Sequence, residues 1–481
     1  MLRAHFLPID WVIPGLYLLF LLVAGFWPRK QDTETYLIAD RDLGLPIFVA
    51  TLVATWYGGV LGVGEFVYTS GVVSWTANSL PYYVMAFVFA LFLARRVRQG
   101  STSNYTIADK LEQEYDRKTA LLGALATFIY ASPSAYVLMA GILLQMLFGW
   151  HILPAILAGT FFSLVYVFRG GFLSDVRVNT VQFLLMFAGF AAALYVCLTH
   201  FGLHTILARH ALPLDALKFL GNPHAGQGAG YVIVWFFIAL VTFTDPTFHQ
   251  RCYAARTPGI AVKGILIAIF CWFIFDVMST TTGLFARVLL PHLNDATYAY
   301  PELAERIMPP GLKGLFYTGM LAPVMASLVS YTFVSALTVG RDFIWRMKNE
   351  PNSDSVPRYT RCGLVATAIL AVVVALLVPS VVEQWYAFGN VFVPAMLLPL
   401  IGAYAKDKRL KPSPNFAFAA MLAGGSVALV CLLDGWMHGG MDNPAFPLGW
   451  QPMYSGLLVC GSIYLAGLLV RTRKLQGAVT D

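Results

Sequence analysis

Residues 43–71 read LGLPIFVATLVATWYGGVLGVGEFVYTSG, and the fold turns on how this stretch is understood. It is long and apolar enough to cross a bilayer core, which takes about 20 residues of helix. Yet Gly58, Gly59, Gly62 and Gly64 crowd its middle, and a carboxylate, Glu65, follows. Each glycine weakens a helix by about 1 kcal/mol against alanine. A membrane helix breaks only where protein or a water-filled cavity takes up the freed backbone groups. Two readings stand: a broken helix whose carbonyls and half-helix ends build an ion or solute site, or a smooth face that lets neighbouring helices approach closely.

The rest of the chain sets the context. Of 481 residues, 58% are hydrophobic and only 12% charged, against about 25% charged in a soluble domain; the mean hydropathy is +0.68. This composition describes an all-α polytopic membrane protein and excludes a large soluble enzyme. The net charge of +7 does not point to nucleic acid, because the basic residues sit in short loops between apolar runs, the pattern that orients membrane proteins. Cys197, Cys252, Cys271, Cys362, Cys431 and Cys460 are scattered, with no CxxC or Cys/His cluster, so neither a disulfide framework nor a zinc site is expected. No GxxxxGK[ST] loop occurs, which argues against an ATP-driven pump. The run 7–27 lacks a small-residue cleavage site and reads as a retained span rather than a signal peptide.

Apolar runs predict about 13 transmembrane helices, near 7–27, 46–69, 75–95, 118–148, 150–168, 177–201, 228–245, 260–290, 312–340, 361–380, 383–404, 415–434 and 450–470. An odd count puts the termini on opposite sides. With the C-terminus and its Arg471, Arg473 and Lys474 in the cytoplasm and the N-terminus outside, roughly 26 of the 32 Lys and Arg fall on the cytoplasmic side, as the positive-inside rule requires. Between spans, Thr106–Tyr115 (TIADKLEQEY) opens with Thr106 followed three residues on by Asp109, a capping pattern that predicts a short amphipathic helix.

Three segments carry a resemblance. Gly149–Ser174 ends YVFRGGFLS, with a double glycine after an apolar span and an aromatic residue. Residues 311–343 read GLKGLFYTGMLAPVMASLVSYTFVSALTVGRDF, and YLIADRDLGLP leads into the opening stretch. In this order, on a chain of this topology, they resemble the sodium:solute symporter family. The resemblance implies a leucine-transporter-type core, two five-helix repeats inverted in the membrane. The first repeat would span 46–201 and the second 228–404. Residues 1–45 would form a peripheral first helix and linker, and 405–481 two peripheral helices with a basic tail.

It also implies a site. The family's sodium ion is held by carbonyls of the first core helix and by carbonyl and hydroxyl groups of the eighth. Carried over, these are Ala54 and Tyr57, then Pro323, Ala326 and Ser327. Of the last two only Ser327 keeps a hydroxyl; Ser330 and Thr332 lie nearby. Trp56 stands where some members carry an acid, and Asn179 where others use an aspartate for a second sodium. The solute is expected between the two broken helices, against Trp56, Tyr57, Gly58, Gly59, Tyr130 and Thr242, with Ser132 and Tyr136 as contributors. Val241 and Thr242 stand where sugar-transporting relatives place an aromatic pair, which disfavours a pyranose. Asn390 reads as an interhelical hydrogen-bonding residue.

Acids inside a membrane are costly and are functional candidates for that reason. Glu65, Asp245 and Asp276 are the coupling candidates: Asp276 near mid-span, Glu65 towards an outer gate, and Asp245 before Pro246 as a helix-end group at the cytoplasmic interface. The expected activity is secondary transport, not enzymatic: symport of a small polar organic solute with Na+ across a cell membrane by alternating access. Its partners would be the solute and the lipid bilayer, with no nucleic acid and no obligatory protein partner. A carrier that is proton-coupled (H+) or uncoupled is the alternative, and a sensor domain acting through a separate signalling protein is the rival of another class.

Overall fold

The computed structural model describes all residues except 1–3, 27–31, 101–103, 208–215, 220–228, 349–351, 379, 442–443 and 481. The position 228, where the second repeat was expected to begin, lies outside the described residues. Those described form helices joined by short turns, with one isolated parallel bridge, Leu43 to Ala255. Ten helices are long and apolar enough to cross a membrane, or eleven when a bent pair is counted as one span. That pair is α1 (Leu45–Trp56) and α2 (Val60–Ser70), inclined at 55°.

The helices that build the interior follow in order. They are α3 (Arg117–Tyr130), α4 (Ile152–His200), α5 (Ala229–Ile238), α6 (Pro246–Ala254), α7 (Pro258–Leu289), α8 (Leu312–Leu337) and α9 (Val381–Ala403). At 1.5 Å per residue a straight α4 would be about 73 Å long, more than two bilayer cores. Gly171 divides it, with φ +57° and ψ −150°. A side chain there would run into the Tyr36 carbonyl, so Gly171 serves both the turn and the close approach. Thirteen spans are reached only by counting both limbs of α4 and the shorter apolar helix Pro8–Ala24 separately.

Helix α8 is the axis of the molecule. The whole of its apolar window is buried, against 33% for Pro414–Gly439 and 28% for Pro452–Thr472. These last two pack on α9 and on each other at the rim. The difference follows from side-chain size: α8 carries Gly314, Gly319, Ala322, Ala326, Ser327 and Ser330, and small residues let helix backbones meet inside a membrane.

A second break lies between α5 and α6. After a 3₁₀ turn at Ala239–Phe243 the chain extends at Asp245 (φ −61°, ψ +118°), and Pro246 opens α6. Proline cannot continue a helix from the residue before it but suits the first turn of a new one. The far ends of both broken helices are tied together, because Leu43 N–H donates to the Ala254 carbonyl and Arg256 N–H to the Leu43 carbonyl, each at 3.0 Å.

The short helix Ile107–Glu114 forms with the expected capping box between Thr106 and Asp109. Asp109 also receives Arg341 and Arg346 at 2.9 and 2.8 Å. Burial alone would raise its carboxyl; the two guanidiniums outweigh that and hold it below the usual carboxylate range.

Candidate functional site

Helix α1 stops where Tyr57 (φ −95°, ψ +15°) and Gly59 (φ −77°, ψ +23°) leave the helical path. Carbonyls in the last turn of a helix lose their helical donors. One of them, that of Thr55, accepts a hydrogen bond from Ser327 Oγ on α8. Gly58 is pressed onto the same serine: a Cβ there would overlap Ser327 and stand 2.9 Å from the Pro323 carbonyl. The break, Pro323 and Ser327 therefore converge. Within that register the carbonyl that meets Ser327 is that of Thr55, one residue beyond Ala54. Ala326 is wholly buried beside them and brings no hydroxyl. The groups gathered here are carbonyl and hydroxyl oxygens, which is the donor chemistry a hard monovalent cation takes.

Beside the break lies a cavity of about 160 Å³. Trp56, Tyr57, Gly59, Tyr130, Ser132 and Tyr136 line it as expected. Gly58 and Thr242 do not. Gly58 faces Ser327 instead, and Val241 takes the wall where Thr242 was expected. The reason is local: residues 239–243 wind as a 3₁₀ turn, and at three residues per turn the inward face drifts from the one an α-helical period marks. Thr242 is wholly buried, and its Oγ1 has no hydrogen-bond partner.

The cavity walls are aromatic. Trp56 stacks on Trp272 with ring centroids 5.5 Å apart and meets Tyr82 edge-on at 5.5 Å. Trp385 lies across the glycine face of the broken helix, where a Cβ on Gly62 would stand 3.1 Å from its ring. The glycine run thus serves both original readings, a break at 57–59 and a close packing surface around it.

The three acids separate. Asp245 is the helix-end group expected, capping α6; it is wholly buried, and its carboxylate is fully engaged. Oδ1 accepts from Thr247 N–H at 2.8 Å, Phe248 N–H at 3.0 Å and Thr247 Oγ1 at 2.5 Å, capping α6. Oδ2 accepts from the cavity residues Tyr130 and Tyr331 at 3.0 and 2.8 Å. Glu65 accepts from Thr297 at 3.3 Å and does not line the cavity. Asp276 lines it, is 1% exposed, and neither of its carboxylate oxygens has a hydrogen-bond partner.

A second polar cluster lies on the opposite face of α1. Arg251 of α6, wholly buried, donates to Thr55 Oγ1 at 2.6 Å, Ser330 Oγ at 2.9 Å and Thr51 Oγ1 at 3.2 Å. Its guanidinium stands 3.6 Å from Asp175 Oδ2, which Ser330 Oγ reaches at 2.7 Å. Asn179 joins by donating to Thr51 Oγ1 at 2.9 Å. Ser330 therefore belongs to this cluster, whereas Thr332 bonds back to the Leu328 carbonyl of its own helix. Asn390 makes the interhelical hydrogen bond expected of it, accepting from Met453 N–H at 3.1 Å.

Comparison with known proteins agrees with this geometry. The sodium:solute symporter family profile matches residues 36–404, most of the chain. The chain belongs to this family. It is thus a multi-pass membrane transporter and not an enzyme. It is 25% identical over 451 residues to an osmoregulated proline transporter of Bacillus subtilis, covering 88% of each chain. It is 23% identical to a sodium/proline symporter of Escherichia coli, over 88% of this chain and 87% of that one. A sodium/glucose cotransporter of Vibrio parahaemolyticus is 22% identical, over 77% and 75%. In fold it is similar to a substrate-bound, outward-open Na+-coupled sialic acid symporter, with a TM-score of 0.76, 17% identity and 96% of each chain covered.

Sequence reasoning missed Trp272, Tyr331, Trp385, Arg251 and Asp175. Two of these had a signal. Trp272 precedes Asp276 by four residues and Tyr331 follows Ser327 by four, so each shares a helix face with a residue already singled out. Arg251 had none, since every group that holds it except the Thr247 carbonyl comes from a distant part of the chain.

Proposed function

We propose that this transporter carries a small polar organic solute together with Na+ by alternating access, in a cell membrane with its N-terminus outside and C-terminus in the cytoplasm. The observation that carries the reading is the seating of the α1–α2 break on Ser327 and Pro323, beside an aromatic cavity. An ion held by the Thr55 and Pro323 carbonyls and the Ser327 hydroxyl would brace the break in the form that walls the cavity, and so favour solute binding. With only one hydroxyl available, the site offers fewer oxygens than the family pattern, and a modest sodium affinity is expected. Each sodium ion entering with the potential contributes about 2.3 kcal/mol per 100 mV. The repeats would run over 46–201 and 228–404.

Proton coupling is the second reading, because Asp276 is an acid without a partner at the cavity wall. Uptake of a mixed panel of amino acids, amines, carboxylates and sugars into proteoliposomes, under imposed Na+ or pH gradients, separates the two. Accumulation that requires inward Na+ supports symport with sodium. Accumulation indifferent to Na+ and driven by a pH gradient replaces it with proton coupling.

A further inference from the structure

We propose that Asp276 is the residue that binds the solute, and that the solute carries an organic ammonium group. The inference rests on reading the 160 Å³ cavity as the solute site.

A carboxylate buried to 1% with both oxygens unpartnered is incomplete. Inside a protein such a group is held either as the neutral acid or beside a cation, since isolated buried charge is among the costliest arrangements available. The described residues put no Lys, Arg or His around the cavity. What surrounds it is a set of ring faces: Trp56 stacked on Trp272, with Tyr82 against Trp56. Aromatic faces attract cations, and do so more strongly away from water. Cages of ring faces are the usual means of holding alkylated ammonium groups, which favours such a group over an inorganic ion here.

The hydroxyls point the same way. Tyr130 and Tyr331 both line the cavity, and both give their protons to Asp245. Towards the cavity they therefore present lone pairs only. Two tyrosine oxygens whose protons are committed to Asp245, and a carboxylate without a partner, supply the pocket with acceptors, the complement of N–H donors on a positively charged nitrogen. The unpartnered indole N–H groups of Trp56 and Trp272 would receive an acceptor oxygen elsewhere on the same molecule, so amines and zwitterionic amino compounds both fit. The small volume sits below the roughly 300–1,000 Å³ of sites for drug-sized ligands and selects a compact molecule.

The test is binding to the purified full-length protein in detergent, read as ligand-dependent thermal stabilisation, with pyrrolidinium, its neutral ring counterpart cyclopentanol, and cyclopentanecarboxylate as probes. Pyrrolidinium is expected to bind about tenfold or more tightly than the other two. Asp276→Asn, a near-isosteric change, is expected to erase that preference, and Asp276→Glu to keep part of it. 4-Aminobutyrate beside pyrrolidinium distinguishes a zwitterion site from a plain amine site, and the preferred probe names the source of the ammonium.

Equal binding of the neutral probe, no binding of pyrrolidinium, or an unchanged preference in Asp276→Asn would each overturn the proposal. So would stabilisation by NaCl rather than pyrrolidinium that disappears in Asp276→Asn, since the carboxylate would then be an inorganic-cation ligand. Proteoliposome uptake is scored separately. Ammonium binding through Asp276 without sodium-driven uptake leaves this assignment standing and removes the symport reading. Sodium-driven uptake of a neutral or anionic solute does the reverse.

Discussion

The broken helix α1 separates two buried polar regions built on opposite principles. On one face Arg251 is met by Asp175, Ser330, Thr51 and Thr55, so each charge has its counterpart within the chain. On the other, Asp276 lines an aromatic cavity and has no counterpart among the described residues. Both place ionisable groups where water does not reach, yet only in the first does a charge meet an opposite charge, with Asp175 Oδ1, Asn179 Oδ1 and Arg251 Nε left without hydrogen-bond partners among the described residues. A paired cluster fixes the relative positions of α1, α4, α6 and α8. An unpaired acid has room for a proton or a cation from outside the chain. The contrast shows that burial of an ionisable group and the state of its bonding are separate properties.

The strongest way to break this comparison is to unpair the first cluster. Arg251→Met leaves Asp175 buried without its partner and is expected to cost about 3–5 kcal/mol. The double variant with Asp175→Leu should recover much of that loss in thermal unfolding. If the single variant is as stable as the parent, the cluster is not structural and the distinction fails.

Next in size is Asp109→Asn, outside the membrane spans, expected to cost about 2–3 kcal/mol because the carboxylate pairs with two guanidiniums near the surface. Its carboxyl is held below the ordinary range. The associated stability is therefore present above the unfolded-state value and lost as pH falls through the lower folded value. Thermal unfolding followed downwards in pH should show this loss in the parent and a flatter profile in the variant.

Gly58→Ala probes the seat of the break. The added methyl has Ser327 and the Pro323 carbonyl in its way, so about 1–3 kcal/mol of destabilisation is expected, with sodium-dependent uptake reduced more than expression. The smallest effect belongs to Ser327→Ala, which removes one hydroxyl and about 1 kcal/mol of interaction. The sodium concentration for half-maximal uptake should rise about fivefold. No change in sodium dependence would move the ion site away from Ser327.

What was legible in the sequence shares a physical character. The break announced itself because four glycines within seven residues conflict with an apolar span of that length. Asp276 stood out because an acid near mid-span has no cheap explanation. The short capped helix at 107–114 followed from a local pattern. What escaped was set by contacts between distant segments or by a change of helical pitch. Arg251 is held by Thr51 and Thr55 of α1, far away in the sequence. Asp245 was expected as a helix-end group at the cytoplasmic interface; it caps α6, and two tyrosines from α3 and α8 enclose it. Thr242 gave way to Val241 because a 3₁₀ turn does not keep the α-helical phase.

The carboxylate of Asp245 has a mechanical consequence. One side chain caps α6 while holding the hydroxyls of α3 and α8, so three helices meet at a single charge. Any movement that draws α3 or α8 away from α6 strips a donor from a buried anion, and hydrogen bonds to charged groups are worth about 1.5–3 kcal/mol each. Asp245 therefore ties the Tyr130 and Tyr331 side of the cavity to the first turn of α6.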